Sequence, residues 1–168
     1  MFFQDEARFG RIDNVCSCWV PNKQRAKVGN QIIRQYTYAY SALCPETGEC
    51  YSLILPYANT VCMQIFLEGL SESFKNYRIV LAMDRASWHT GDKAKIYDNI
   101  VPLFQPAHSP ELNPVEILWH HIRENSQFKN RTFKSLEEVE DNLADALGNI
   151  DKETIKSISN FPWIFSAI

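Results

Sequence analysis

The sequence predicts an α/β domain in which helices pack over a mixed sheet. Three observations carry this. The first nine residues alternate with the period of a strand, two short continuous apolar runs (77–83 and 100–104) have strand length, and the stretch after Pro114 repeats its apolar residues with the period of a helix.

Each element follows from its residues. In 1–9, Phe3, Asp5, Ala7 and Phe9 share one face of a strand, and Phe2, Gln4, Glu6 and Arg8 share the other. The polar stretch 10–30, broken by Gly10, Pro21 and Gly29, reads as loops with a short strand around 18–20. Residues 31–43, rich in Ile, Tyr and Thr, form a strand; Pro45-Glu46-Thr47-Gly48 turns the chain, and 49–55 returns as the second arm of a hairpin. Thr60 caps a helix over 60–74 with Val61, Ile65, Phe66, Leu67, Leu70 and Phe74 on its buried face. The apolar run 77–83 suits a strand covered on both sides and stops at Asp84. A short helix over 92–99 precedes a strand over 100–104, closed by Pro106. After the turn 109–114, an Asn113 cap and Pro114 open a helix burying Val115, Leu118, Trp119 and Ile122. Ser135 with Glu138 forms a capping box for a helix burying Leu136, Val139, Leu143, Leu147 and Ile150, and a short helix over 152–159 follows. Leaving aside the short piece at 18–20, the segments 1–9, 31–43, 49–55, 77–83 and 100–104 predict a mixed five-stranded sheet.

Length and composition set the class. The 168 residues suit one domain over 1–168, with 45% hydrophobic and 22% charged residues, an ordinary soluble balance. No apolar run is long enough for a bilayer span, and no membrane partner is expected. Five cysteines, an odd number, favour reduced thiols and a cytoplasmic location. Cys16 and Cys18 are spaced too tightly, and Cys44 and Cys50 too loosely, for the usual zinc pairs. The net charge of −3 argues mildly against a free-standing nucleic-acid binder, although acids gathered to hold cations would account for part of it.

Three acids stand at informative places: Asp5 on the first strand, Asp84 where a buried strand ends, and Glu116 in the first turn of a helix. Carboxylates so placed can converge beside a sheet, where they would hold magnesium or manganese through hard oxygen donors. Two such ions about 4 Å apart serve phosphoryl transfer by activating one oxygen and stabilising another. Each acid also has a structural role open to it. Asp84 can form a turn, and Glu116 sits where a side chain reaches back to the Asn113 cap.

Three words occur in order: Gln-Asp-Glu-Ala-Arg-Phe-Gly (4–10), Met-Asp-Arg-Ala-Ser-Trp-His (83–89) and Ser-Pro-Glu-Leu-Asn-Pro-Val-Glu-Ile-Leu-Trp (109–119). Together they resemble the DDE transposases of bacterial insertion sequences, in the branch related to mariner elements. The resemblance implies a ribonuclease H-like fold with Asp5, Asp84 and Glu116 as catalytic, metal-binding acids. The 31 residues between Asp84 and Glu116 are close to the spacing of that group. It implies two magnesium or manganese ions, double-stranded DNA as partner (transposon ends and target), and a homodimer in the full-length form, nucleoid-associated when on DNA. The reaction would be hydrolytic nicking of transposon ends, then attack of the freed 3′-hydroxyl on target DNA. Alternatives are a ribonuclease H-like nuclease without strand transfer and a truncated remnant that binds DNA or dimerises without catalysis. Two positions depart from the family pattern: Arg85 follows the second acid in place of Asn or Gly, and His108 stands where an aromatic residue is common. Helix-turn-helix modules precede the first catalytic strand in the family and are absent here, so the resemblance implies a catalytic domain alone.

Further candidates surround the acids. His89, His120 and Asn113 are candidates for contact behind the metal ligands. Arg8, Arg11, Lys23, Arg25 and Lys27, with Trp19 among them, and Arg85 are candidates for DNA contact. Trp119 and Trp163 fit core packing.

Overall fold

The alternation of the first strand decides the architecture. The computed structural model describes residues 1–12, 16–86, 97–106, 109–124 and 128–166. Strand β1 (Phe2–Ile12) sends Phe3, Ala7 and Phe9 into one core and Phe2 into a second core on the opposite face. It runs beyond the alternating nine residues because Gly10 allows a register shift against β2 (Ile32–Leu43) between Gly10 and Ile12. A Cβ at Gly10 would collide with the Gln35 carbonyl and the Tyr36 ring.

β2 pairs antiparallel with β1, and β3 (Cys50–Leu55) pairs antiparallel with β2. Their turn needs Gly48, whose φ of 73° is a region disfavoured for other residues. β4 (Ile79–Met83) lies parallel to β1, and β5 (Ile100–Phe104) lies parallel to β4. The order β3-β2-β1-β4-β5 makes a mixed five-stranded sheet. With helices on both faces, this is a ribonuclease H-like fold.

Helix α1 (Thr60–Ser73) covers one face. Its cap is Asn59 rather than Thr60: the Asn59 Oδ1 accepts from the Cys62 N–H at 2.9 Å. The buried face differs accordingly, with Cys62, Met63, Phe66, Leu67 and Leu70 inside, while Val61 (64% exposed) and Ile65 (48%) face out. The other face carries α2 (Val115–Glu124), α3 (Leu136–Gly148), α4 (Lys152–Ile158) and α5 (Pro162–Ser166). Val115, Leu118, Trp119 and Ile122 of α2 are all buried, as their spacing predicts. Ser135 accepts from the Glu138 N–H at 3.1 Å, but Glu138 reaches back to the Lys134 N–H, one residue before the cap. The five-residue helix α5 carries no signal that was legible in the sequence.

Other expectations are corrected. Residues 18–20 form no strand; they belong to an irregular, largely exposed arm over 16–31. β4 is covered fully on one face and in part on the other, where Ala82 is buried but Val80 is not. The helices of the α2 layer lie over β1, β2 and β3, which leaves Val80, Val101 and Leu103 exposed. The expected helix over 92–99 falls largely outside the described residues, and 97–99 lead by a turn into β5. In β5, the Asn99 carbonyl and the Gln105 N–H bond to β4, so by alternation the position of Pro102, which lacks an N–H, falls on the open edge. Among the described residues, no helix is long and apolar enough to cross a membrane.

The corrected face of α1 is testable by urea unfolding. Phe66→Ala should cost about 3–5 kcal/mol, and Val61→Ala should stay within about 0.5 kcal/mol of the parent.

Candidate active site

Asp5 lies in the row Phe3–Asp5–Ala7–Phe9, beneath α2. A carboxylate in such a row loses water contacts that favour its charged form. Burial first, and the nearby Glu116 charge second, push the Asp5 carboxyl up to about 7. The Trp119 indole N–H donates to Asp5 Oδ2 at 2.8 Å and opposes this shift. Next to it, Gln4 is almost wholly buried, and among the described residues neither polar atom of its side chain has a hydrogen-bond partner.

Asp84 follows the last residue of β4 and is exposed. The parallel pairing sets Phe2 level with Leu81 and Phe3 with Ala82. Asp5 lies two residues past Phe3 on β1 and Asp84 two residues past Ala82, so both acids follow the last paired residues of the two strands on the same side. Asp84 Oδ1 also accepts from the Ala86 N–H at 2.9 Å, so the turn-forming role open to it is in use.

Glu116 rides on the first turn of α2, and the loop before it fixes the helix to β1. A 3₁₀ turn (Pro110–Leu112) delivers Asn113 into the interior. Asn113 Nδ2 donates to the Gln4 carbonyl at 2.9 Å, and its Oδ1 accepts from the Val115 N–H at 3.1 Å. The Asn113 backbone N–H donates to the Pro110 carbonyl. The capping role open to Glu116 is therefore not what that N–H serves. Glu116 instead lines an open hollow of about 490 Å³ with Glu111, Asn113, Ile117 and Phe161.

All three acids offer hard oxygen donors, so in kind they fit a magnesium or manganese ion. Their placement does not close on one: among the described residues, no three His, Cys, Asp or Glu side chains stand together as a metal-holding group. Mutual repulsion of carboxylates, felt by Asp5 from Glu116, opposes such closure when no cation is present.

The remaining candidates divide. His120 is exposed and shares a second hollow with Ile117, His121, Glu124 and Ile158. His89 and His108 lie outside the described residues. Arg11 is engaged within the fold, donating to the Phe133 carbonyl at 3.0 Å and to Gln35 Oε1 at 2.7 Å. Arg8 stacks over the Tyr36 ring at 4.5 Å. Lys23, Arg25 and Lys27 are exposed on the 16–31 arm, and Arg85 is exposed beside Asp84. The arm is tied at its ends: the Cys16 N–H donates to Asn130 Oδ1 at 2.8 Å, and Gln31 exchanges two bonds with the Phe133 backbone. Cys16 is not in a disulfide, and desolvation and the neighbouring Glu124 push its thiol up, which does not favour zinc ligation. Trp119 is the site residue that sequence reasoning missed. Its place in the apolar stripe hid the one polar atom it carries.

A family model described as DDE superfamily endonuclease matches residues 1–140. The chain belongs to the DDE superfamily of endonucleases. Among curated proteins, it is 40% identical over 105 residues to the uncharacterized protein y4pE/y4sA of Sinorhizobium fredii, covering 62% of this chain and 77% of that one. Among solved structures, this DDE chain is similar to the Mos1 mariner paired-end complex with Mn (TM-score 0.73, 19% identity, 95% of this chain and 51% of that one). It is also similar to the Mos1 strand transfer complex (TM-score 0.70, 20% identity, 95% and 50%). The DDE chain thus spans about half the length of the Mos1 chains, and at these identities the likeness is one of fold.

The raised carboxyl of Asp5 gives this region a pH signature. From its ordinary value of 3.8 up to about 7, the folded chain keeps a proton on Asp5 that the unfolded chain has released, so its contribution to stability falls as pH rises through that window. Asp5→Asn keeps an acceptor for the indole and removes the titration. Relative to the change in the parent, unfolding free energies should gain on the order of 1–3 kcal/mol between pH 4 and pH 8 in the variant.

Proposed function

We propose that this chain is the metal-dependent catalytic domain of a DNA transposase, cutting transposon ends and joining the 3′-hydroxyl to target DNA. The observation that supports the reading is that Asp5 feels the charge of Glu116, an acid 111 positions away in sequence. Asp5, Asp84 and Glu116 would hold two magnesium or manganese ions. When bound, such ions activate the attacking oxygen and stabilise the leaving one. The three side chains supply oxygens from three separate elements, so the fold itself sets their spacing. In the first step, water's oxygen bonds to phosphorus as the bond to the 3′-oxygen breaks, leaving a 3′-hydroxyl and a 5′-phosphate. In the second, that hydroxyl attacks a target phosphodiester and displaces its 3′-oxygen. Arg85 and the arm residues Lys23, Arg25 and Lys27 would meet DNA phosphates, with Arg8 and Arg11 beside them. We assign double-stranded DNA as the substrate, a homodimer to the full-length form, and the bacterial cytoplasm as the place of action.

A second reading has one observation behind it. The acids do not stand as a metal-holding group among the described residues, which favours a remnant that binds DNA without cutting. Magnesium titration separates the two. A catalytic domain should be stabilised by about 2.7 kcal/mol at a hundredfold excess of magnesium over its dissociation constant. Asp84→Ala should abolish that gain and the nicking of DNA carrying transposon ends. No gain in the parent chain would leave the remnant. Transfer of a nicked strand to a second DNA distinguishes a transposase from a nuclease that only cuts.

Phosphate contact by the arm has its own measure. Lys23→Ala with Arg25→Ala should weaken DNA binding across sequences and lower the slope of log affinity against log salt by about 2.

A further inference from the structure

Trp119 is buried in the core to 1% exposure and stacks edge-on against Phe9. Packing alone would be served by a phenylalanine. A buried indole N–H must find an acceptor, and this one finds a carboxylate rather than a backbone carbonyl, 2.8 Å away at Asp5 Oδ2. Its position on the helix adds meaning. Asn113 lies three residues before Glu116 and Trp119 three residues after it. The two side chains bond to consecutive residues of β1, Asn113 to the Gln4 carbonyl and Trp119 to the Asp5 carboxylate. The turn carrying one acid is thus fastened to the strand carrying the other on both sides of Glu116.

We propose that Trp119 is a positioning residue for the metal site: its indole N–H fixes the rotation of the Asp5 carboxylate and, with Asn113, its separation from Glu116. The inference rests on the metal-binding reading of these acids. Groups that orient a ligand from behind typically change metal affinity 10- to 100-fold when removed.

The test compares three forms of the chain by magnesium titration, read as metal-dependent thermal stabilisation. Trp119→Phe keeps a ring in the core and deletes the N–H; Ile122→Ala, in the same helix and core, loosens packing and leaves the N–H. Trp119→Phe should bind magnesium at least about 10-fold more weakly, and Ile122→Ala should bind like the parent. Equal affinity in Trp119→Phe and the parent overturns the proposal, as does an equal loss in both variants. Should Trp119→Phe fail to fold, ¹⁵N-labelled parent chain decides. Saturating magnesium should move the Trp119 indole N–H resonance and leave that of the exposed Trp19 in place; an unmoved Trp119 resonance overturns the inference. If the parent binds no magnesium, the metal-site reading falls and this one with it; if it binds and Trp119→Phe binds equally, only the positioning role falls.

Discussion

Two hydrogen bonds fasten the first turns of α2 to the middle sheet strand, and the site is built on them. One satisfies a carbonyl of β1, the other an acid set among phenylalanines. Without them, the helix would still bury Val115, Leu118 and Ile122, but apolar packing tolerates sliding and rotation that directed bonds do not. The core supplies the attachment of α2, and the bonds supply its register. That division matters because Glu116 itself is exposed, so its place follows from that of the helix turn that carries it.

Polar groups also enter the interior around these bonds. Asp5 is held partly away from water, Gln4 beside it has an amide unsatisfied among the described residues, and Asn113 is buried with its side chain bonded to Gln4 and Val115. Elsewhere the two cores are ordinary, with aromatic pairs such as Phe2–Phe74 and Tyr40–Phe66 filling the space between sheet and helices. Buried polar groups are costly unless paired, so Gln4, Asp5 and Asn113, close to the start of β1, cost stability that an apolar interior would not.

Much of this was legible in the sequence because periodicity reports which face is buried. The alternation of 1–9, the stripe Val115–Leu118–Trp119–Ile122 and the Asn113–Pro114 helix start all describe local geometry that the tertiary structure keeps. α1 was harder. With apolar residues around most of its circumference, periodicity leaves open whether Val61 or Cys62 faces the sheet, and packing against the sheet settles it for Cys62. The apolar run ending at Asp84 did not reveal that Val80 would face out, since that depends on how far the opposite helix layer extends. The words around the three acids pointed to their elements. The bond from Trp119 could not be read off, because residues 5 and 119 meet only once the helix is laid on the sheet.

The open flank of the sheet is shaped by Pro102. Strand β5 ends the sheet, and a missing donor on its outer edge interrupts the ladder that another strand would need. End-to-end growth of the sheet from chain to chain is thereby discouraged on that side. Val80, Val101 and Leu103 remain as an apolar strip on the adjoining face. Whatever meets this flank must lie flat across it, as a helix or loop would, instead of zipping along its rim.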